Sequence, residues 1–323
     1  MNDERIIAAT DDAITRAGLA LGNGERVAFP TETVYGLGAD ATSDRAVAGI
    51  FEAKQRPEFN PLIVHFPDIK QARDYARFSE NALELARHFW PGGLTLVLKR
   101  KPGCGLSKLV SAGLDSVAVR VPGHDIAQKL LAKAQCPIAA PSANRSGSIS
   151  PTKALHVARS LAPDNPAGPV IILDGGECRL GIESTVLDMT TNAPVLLRPG
   201  AVTAEDIEAF TGPVVMADEN SDIKSPGMLS RHYAPKRPMR LNAHQASDDE
   251  YLLAFGPDAP GNAALNLSPS GDLVEATANL FSMLHTLDGY NDKPIAVMPI
   301  PEHGLGRAIN DRLRRAALGA SVE

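Results

Sequence analysis

The chain has few cysteines. Cys104, Cys136 and Cys178 are an odd number at wide spacing in 323 residues, which excludes a disulfide framework and a Cys-based zinc or redox motif. Reduced thiols of this kind suggest a cytoplasmic protein. No apolar run approaches the roughly 20 residues needed to span a bilayer, and the start MNDERIIAATDDAI is acidic and lacks the apolar core of a signal peptide. No membrane partner is therefore expected. A positive excess is also missing: the formal net charge is -6, which argues against coating nucleic acid by bulk electrostatics and leaves room only for a local basic groove. The eight histidines show no metal-ligand spacing, so no protein-held metal is expected and their default role is structural or at the surface. GxxxxGK[ST], a GxGxxG after a strand, GxSxG and HExxH are all absent, as is a carboxylate pair placed for glycosidase-type work.

What is present reads as an ordinary globular chain, 44% hydrophobic and 22% charged, long enough for about two domains. From Thr10 to Phe210 helical and strand patterns alternate. Thr10 can cap a helix running to Leu21, and further helices are predicted over 43–54, 80–89, 125–134, 152–160 and 204–210. Strands are predicted over 26–29, 62–66, 95–99, 117–121, 138–140, 170–173, 185–188 and 195–197. Short links between some strands imply antiparallel pairs, so the class is α/β with a mixed sheet. A polar stretch from Ala217 to Lys224, followed by Ser225-Pro226-Gly227, reads as a linker. Strands at 251–255 and 295–298 and helices at 272–287 and 306–317 then make a compact second unit. The expected division is 1–213, a linker over 214–239, and 240–323.

Three segments can carry chemistry. FEAKQRPEFNPLIVHF, residues 51–66, sets Lys54, Arg56, Asn60 and His65 between a helix broken at Pro57 and a strand. Cations and an amide held beside a core strand suit a polyanion such as a nucleotide triphosphate, and the plain alternative is a solvated turn. VAFPTETVYGLGADA, residues 27–41, runs a strand into Thr31, Glu32 and Thr33 before Gly36 and Gly38 loosen the backbone. Strand ends are where open α/β sheets place ligands, although a hydroxyl-capped turn would look the same. PIAAPSANRSGSISPT, residues 137–152, delivers Ser142, Asn144, Arg145, Ser146, Ser148 and Ser150 from a buried strand. Its hydroxyls, amide and backbone N–H groups can solvate phosphate oxygens, and an ordinary Ser-rich loop is the alternative. Arg120 and Arg198 end strands, either as surface side chains over apolar stems or, with Lys54, Arg56 and Arg145, as partners of a substrate with several negative groups. Glu32 and Glu183 are the acids inside these motifs, and Trp90 reads as a core or strand-entry anchor.

In this order KQRPEFNPLIVHF, FWPGGLTLVL, APSANRSG, GIESTV and LRPGA resemble the YrdC-type threonylcarbamoyl-AMP synthase family. SPGMLSRHYAP and GLGRAINDRLRRAA resemble the linker and C-terminal domain of its longer, two-domain members. The resemblance covers nearly the whole chain. It implies a twisted open mixed sheet with helices and a basic concave face, plus a smaller Rossmann-like α/β domain. The implied reaction joins L-threonine, bicarbonate and ATP into threonylcarbamoyl-adenylate and releases pyrophosphate, for threonylcarbamoyladenosine in tRNA next to the anticodon. By motif, Lys54 and Arg56 are the implied catalytic pair. Arg56, Asn60, Ser116, Ser142, Asn144, Ser150, Arg198 and Tyr233 would meet ATP, and Thr33, His65, Arg120, Ala140 and Ser184 would meet L-threonine. Mg2+ would ride mainly on the ATP phosphates. Further candidate partners are tRNA and the downstream threonylcarbamoyl transferase complex. Two positions depart from the family pattern: Ser116 stands where Thr is expected, and Met228-Leu229-Ser230-Arg231 where Lys-Tyr precedes the Arg. Competing readings are carbamoyl transfer from carbamoyl phosphate and a non-catalytic RNA-binding module.

Overall fold

The computed structural model describes residues 3–162, 164–191, 193–217, 232–290 and 293–320. The stretch 218–231, with most of the linker read above and Met228 to Arg231, lies outside the described residues. In chain order the strands are β1 (Ile6–Ala8), β2 (Val27–Phe29), β3 (Gly36–Asp40), β4 (Ile63–His65), β5 (Ala76–Arg77), β6 (Leu94–Arg100), β7 (Ser116–Arg120) and β8 (Ile138–Ala139). They continue with β9 (Ile171–Asp174), β10 (Thr185–Asp188), β11 (Val195–Arg198), β12 (Val215–Met216), β13 (Met239–Arg240), β14 (Tyr251–Ala254), β15 (Leu265–Asn266) and β16 (Ile295–Val297). The helices are α1 (Asp11–Gly22), α2 (Asp44–Lys54), α3 (Ile69–Tyr75), α4 (Glu80–Phe89), α5 (Asp125–Ala134), α6 (Ala154–Ser160), α7 (Ala204–Thr211), α8 (Leu273–Tyr290) and α9 (Leu305–Ala320).

Local chemistry sets several of these boundaries. The Thr10, Ser43 and Ser79 hydroxyls accept from the exposed N–H groups of the first turns of α1, α2 and α4. α7 opens with a reciprocal cap between Thr203 and Asp206. Gln55 takes a left-handed conformation (φ 51°) at the end of α2, so Lys54 stays on the last turn while the chain swings toward Pro57.

The large sheet has the order β1-β9-β2-β3-β8-β4-β7-β6-β10-β11-β12, with β5 on β6, and mixes parallel and antiparallel pairs. One face is covered along its length by α2, α3, α4, α6 and α7 through the main apolar core. The other face is covered only in part. There α1 and α5 pack over β2, β8 and β9, while Ile63, Val97, Ala118, Val186 and Leu197 form a small apolar floor on β4, β6, β7, β10 and β11. The cleft lies beside that floor. At its edge the β10–β11 ladder slips: Val186 pairs with Arg198 and Leu187 with Leu196, so Leu197 is an extra residue. Such a bulge lets two consecutive side chains face one way, and here Leu197 joins the floor while Arg198 enters the cleft.

The second sheet, β13-β16-β14-β15, is wholly parallel. Its core with α8 and α9 takes in Val34, Ile149 and Ile182 from the first unit, so the two units share one apolar cluster. The first sheet reaches Met216 and the second starts at Met239, inside the stretch read as linker.

One reading of the sequence needs correction. Gly36 and Gly38 do not loosen a turn; they lie in β3, a buried strand. A Cβ on Gly38 would fall 2.8 Å from Phe29 Cε1 and 2.9 Å from Ile138 Cγ2, so glycine is there to admit two large neighbours. Strand preferences count glycine against a strand, which hid β3. Trp90, read as an anchor, is buried with its indole N–H donating to Leu94 O at 2.6 Å.

Candidate functional site

Strand ends converge on the half-covered face. His65 ends β4 and stands in register with Arg120, which ends β7. Ala140 follows β8, Ser184 precedes β10, and Arg198 ends β11. With Thr31, Thr33, Arg56, Ser142, Glu183, His232 and Tyr233 they line one cavity of about 40 Å³. All five residues assigned to threonine by resemblance therefore share a wall. Of those assigned to ATP, Arg56, Ser142, Arg198 and Tyr233 do so as well.

Lys54, Asn60, Asn144 and Ser150 sit one layer behind, each at most 1% exposed. The Lys54 ammonium donates to Ser142 O at 2.5 Å and also to Asn144 O; it braces the Ser-rich loop and does not face water. Arg56 donates to Asn60 O and Pro61 O. Neither cation has a carboxylate within ion-pair distance among the described residues. Ser116 lies elsewhere, in a depression with Arg77, Lys99 and Thr190. Arg145 is exposed, bonds the Gln55 side chain and borders a separate crevice with Arg159 and Lys236. The structure thus takes Arg145 out of the set of cavity cations.

The hydroxyls are oriented. Thr31 Oγ1 donates to Val34 O at 2.7 Å and lies 2.7 Å from Thr33 Oγ1. With its single proton committed, Thr31 must accept from Thr33, and the Thr33 hydroxyl offers lone pairs to the cavity. Ser184 Oγ is 2.8 Å from Thr95 Oγ1, while Arg198 donates to Ser184 O.

Both acids of the cleft are engaged by arginines. Glu32 accepts from Arg120 at 2.6 Å and from Gly123 N at 2.9 Å. Burial pushes its carboxyl up, but Arg120 more than offsets this and the net shift is down. Glu183 accepts from Ser150 Oγ at 2.5 Å on one oxygen and from Arg312 Nε at 2.9 Å on the other. Burial opposes its charge, yet Arg312, Arg198 and these hydrogen bonds hold it at about 2. His65 and His232 are both pushed to about 3, first by burial and then by nearby arginines, so each is neutral at pH 7. Burial and Arg198 lower Arg56 to about 9, which leaves it charged. The Lys54 ammonium is driven well down by burial and then by the Arg56 charge.

The sequence does not single out Arg312, and His232, inside SPGMLSRHYAP, carries no ligand assignment there. Arg312 lies on α9, is 0% exposed, and also donates to Pro199 O at 2.8 Å and Asp311 at 2.6 Å. Its guanidinium carbon sits 5.3 Å from the centre of the Tyr233 ring, which stacks on Phe281. Tyr233 itself is fully buried at φ 64°, a conformation that costs a bulky residue about 1–3 kcal/mol and persists only when its surroundings enforce it. Nothing local marks Arg312 among the four arginines of GRAINDRLRR; its partner is 129 residues away.

Several buried polar atoms here have no hydrogen-bond partner among the described residues: both side-chain amide atoms of Asn60, His65 Nδ1, Asn144 Oδ1, His232 Nδ1, Tyr233 Oη and Arg312 Nη2. Leaving such an atom dry and unpaired costs about 1–3 kcal/mol, and native proteins hold few. His65, His232 and Tyr233 among them line the cavity, and unpaired polar groups there are the mark of a polar ligand.

The Glu183 network makes an acid-side prediction. Its folded pKa lies below its ordinary value of 4.5, so the stabilisation is complete above about pH 4.5 and fades as pH falls toward 2. Glu183→Gln should flatten the stability curve across that window by an amount on the order of 2–3 kcal/mol. Urea unfolding of both proteins from pH 5 to 3 checks this; parallel curves would show that the carboxylate is not held as described.

Among the described residues no helix is long and apolar enough to cross a membrane. The family model described as "Telomere recombination", for Sua5, YciO and YrdC proteins, matches residues 19–200. The model "Threonylcarbamoyl-AMP synthase, C-terminal domain" matches residues 202–318. A Bacillus subtilis threonylcarbamoyl-AMP synthase is 41% identical, with 98% of this chain and 96% of the relative covered. A Pyrococcus abyssi threonylcarbamoyl-AMP synthase is 42% identical, with 91% of each covered. The crystal structure of P. abyssi Sua5 complexed with L-threonine superposes with a TM-score of 0.89 at 38% identity over 98% of both chains. The Escherichia coli YciO structure matches 59% of this chain and 90% of its own at a TM-score of 0.52 and 23% identity, a likeness of fold.

Proposed function

This chain belongs to the YrdC-type threonylcarbamoyl-AMP synthase family, in its two-domain form, and from that we propose that it joins L-threonine, bicarbonate and ATP into threonylcarbamoyl-adenylate and releases pyrophosphate. The product serves threonylcarbamoyladenosine formation beside the anticodon of tRNA. The observation that carries this reading is a cavity with Arg56, Arg120 and Arg198 in its wall beside the unpartnered polar atoms of His65, His232 and Tyr233.

Threonine occupies the end built from Thr33, His65, Arg120, Ala140 and Ser184. Arg120 meets its carboxylate, as arginine forks suit carboxylates. The Thr33 lone pairs accept from its amine or hydroxyl, and the neutral His65 contributes a hydrogen bond without adding charge. Threonine's ammonium gives up a proton, and the neutral amine and bicarbonate then lose water to give a carbamate. A carbamate oxygen then attacks the α-phosphorus of ATP, the bond to the β-phosphate oxygen breaks, and pyrophosphate leaves with its electron pair. Positioning and charge neutralisation dominate such a step. Arg56 and Arg198 face the phosphates, with Ser142, Asn144 and Ser150 presented by the loop that Lys54 braces. Ser116 is four residues from Arg120 along β7, roughly 13 Å, so only the far end of a nucleotide lying across the Ala118 floor would reach it.

A cavity of 40 Å³ is far below the roughly 300 Å³ or more of ordinary ligand sites, so Tyr233 and His232 move aside to admit ATP and close over it. Glu32 and Glu183 are already paired with arginines. Any Mg2+ would therefore be held mainly by the nucleotide's phosphates, where it would neutralise phosphate charge.

Pyrophosphate release should require ATP, L-threonine and bicarbonate together. Release that needs no threonine, or activity in which carbamoyl phosphate replaces ATP and bicarbonate, would overturn the reading.

A further inference from the structure

A buried carboxylate is an odd neighbour for a triphosphate. Glu183 lines the same cavity as Arg56 and Arg198, and its hydroxyl partner is Ser150. An unpaired anion there would repel the phosphates across a medium that screens poorly. The charge that cancels it comes from the other unit of the chain. α9, packed with α8 on the second sheet, sends Arg312 across the shared apolar cluster to Glu183 Oε2 at 2.9 Å. The remaining bonds of Arg312, to Pro199 O and Asp311, fix the guanidinium on either side, and its flat face lies over Tyr233 at 5.3 Å.

We propose that Arg312 is a positioning residue for the nucleotide, one that shields Glu183, so that the phosphates meet no bare anion. The proposal rests on the reading of the cleft given above. It makes the C-terminal unit a contributor to the ATP end of the site. Arg312 touches no substrate atom itself; it acts through Glu183 and the ring of Tyr233. The ordinary alternative is an interdomain staple, in which the Arg312–Glu183 pair serves cohesion alone. The two differ in what happens when both partners are removed. A staple lost from both sides stays lost. A shield is no longer needed once the charge it covers is gone, just as a buried ion pair can be replaced whole at little cost while removal of one partner is damaging.

The test is a cycle of full-length variants, with pyrophosphate release read against ATP and against threonine and with thermal unfolding alongside. Arg312→Met should raise the KM for ATP about tenfold or more and that for threonine much less. Glu183→Gln combined with Arg312→Met should bring the ATP KM back to within about threefold of the parent. Arg312→Lys, which keeps the charge, should fall between Arg312→Met and the parent. If Arg312→Met does not fold, the double variant decides the matter, since shielding requires it to keep an ATP KM within about threefold of the parent value. An ATP KM unmoved in Arg312→Met, or a double variant no better than the single one, overturns the proposal. A parent protein that releases no pyrophosphate with threonine and bicarbonate would instead overturn the assigned reaction, so the two failures are told apart.

Discussion

Replacing Lys54 with alanine is expected to cut adenylate formation by two orders of magnitude or more and to lower stability as well. Its ammonium donates to Ser142 O and Asn144 O, 88 and 90 residues along the chain, in a pocket where it is 1% exposed. A hydrogen bond to a charged group is worth roughly 1.5–3 kcal/mol, so two of them bring about 3–6 kcal/mol to the shape of that loop. Part of the loss appears as destabilisation, because two carbonyls are left dry. The rest appears in the rate, because Ser142, Asn144 and Ser150 lose their placement; about 3 kcal/mol alone is more than a hundredfold. Lys54→Met keeps the aliphatic stem and removes only the charge, so it should fold better and work no better. Pyrophosphate release and urea unfolding measured together check both halves. Normal turnover in Lys54→Met would sink the argument, because the loop would then hold itself.

Arg120→Ala should be equally severe, for a different reason. It leaves the Glu32 carboxylate at 2% exposure with backbone N–H groups, Gly123 N at 2.9 Å among them, and no cation within ion-pair distance among the described residues. Breaking a buried pair on one side costs about 3–5 kcal/mol. The change also removes the proposed partner of threonine's own carboxylate, and the KM for threonine should rise at least about a hundredfold. Here the second substitution gives the contrast. Glu32→Gln added to Arg120→Ala should recover stability without recovering threonine affinity, since a residue that grips the substrate cannot be replaced by removing its neighbour's charge. If affinity returned along with stability, Arg120 would be a shield like Arg312, and the threonine carboxylate would need another partner.

The comparison of these residues explains which parts of the site can be read from the sequence. Arg120 and Arg198 are legible because a charged residue closing an apolar strand stands out against its own segment. The hydroxyls of 142–150 are legible because a short apolar strand runs straight into them. Lys54 is half legible: helical spacing places it on the last turn of α2, but its carbonyl partners lie far along the chain, and local pattern carries no information about them. Arg312 is invisible for the same reason, one arginine of four on a basic helix, singled out only by what it meets in space. β3 is hidden for the opposite reason, since its glycines answer to the bulk of Phe29 and Ile138 and not to strand preference. The larger architecture was easier, because a mixed sheet with helices follows from alternating periodicities that repeat over 200 residues. The uncovered half of one sheet face follows from packing alone.

The extra residue in β11 has a consequence for how this chain can vary. Because Leu197 and Arg198 follow one another on the same side of the sheet, the direction of the guanidinium depends on the bulge as much as on the arginine. Were the four residues from Val195 to Arg198 to alternate strictly, the arginine would turn toward the main core, where Leu196 now packs. Many substitutions could be absorbed in that strand, each at a modest cost. A change that flattened the bulge without removing a residue would put a cation into hydrocarbon and take it from the phosphates at once. Drift in this part of the chain should therefore keep the extra residue and the arginine together.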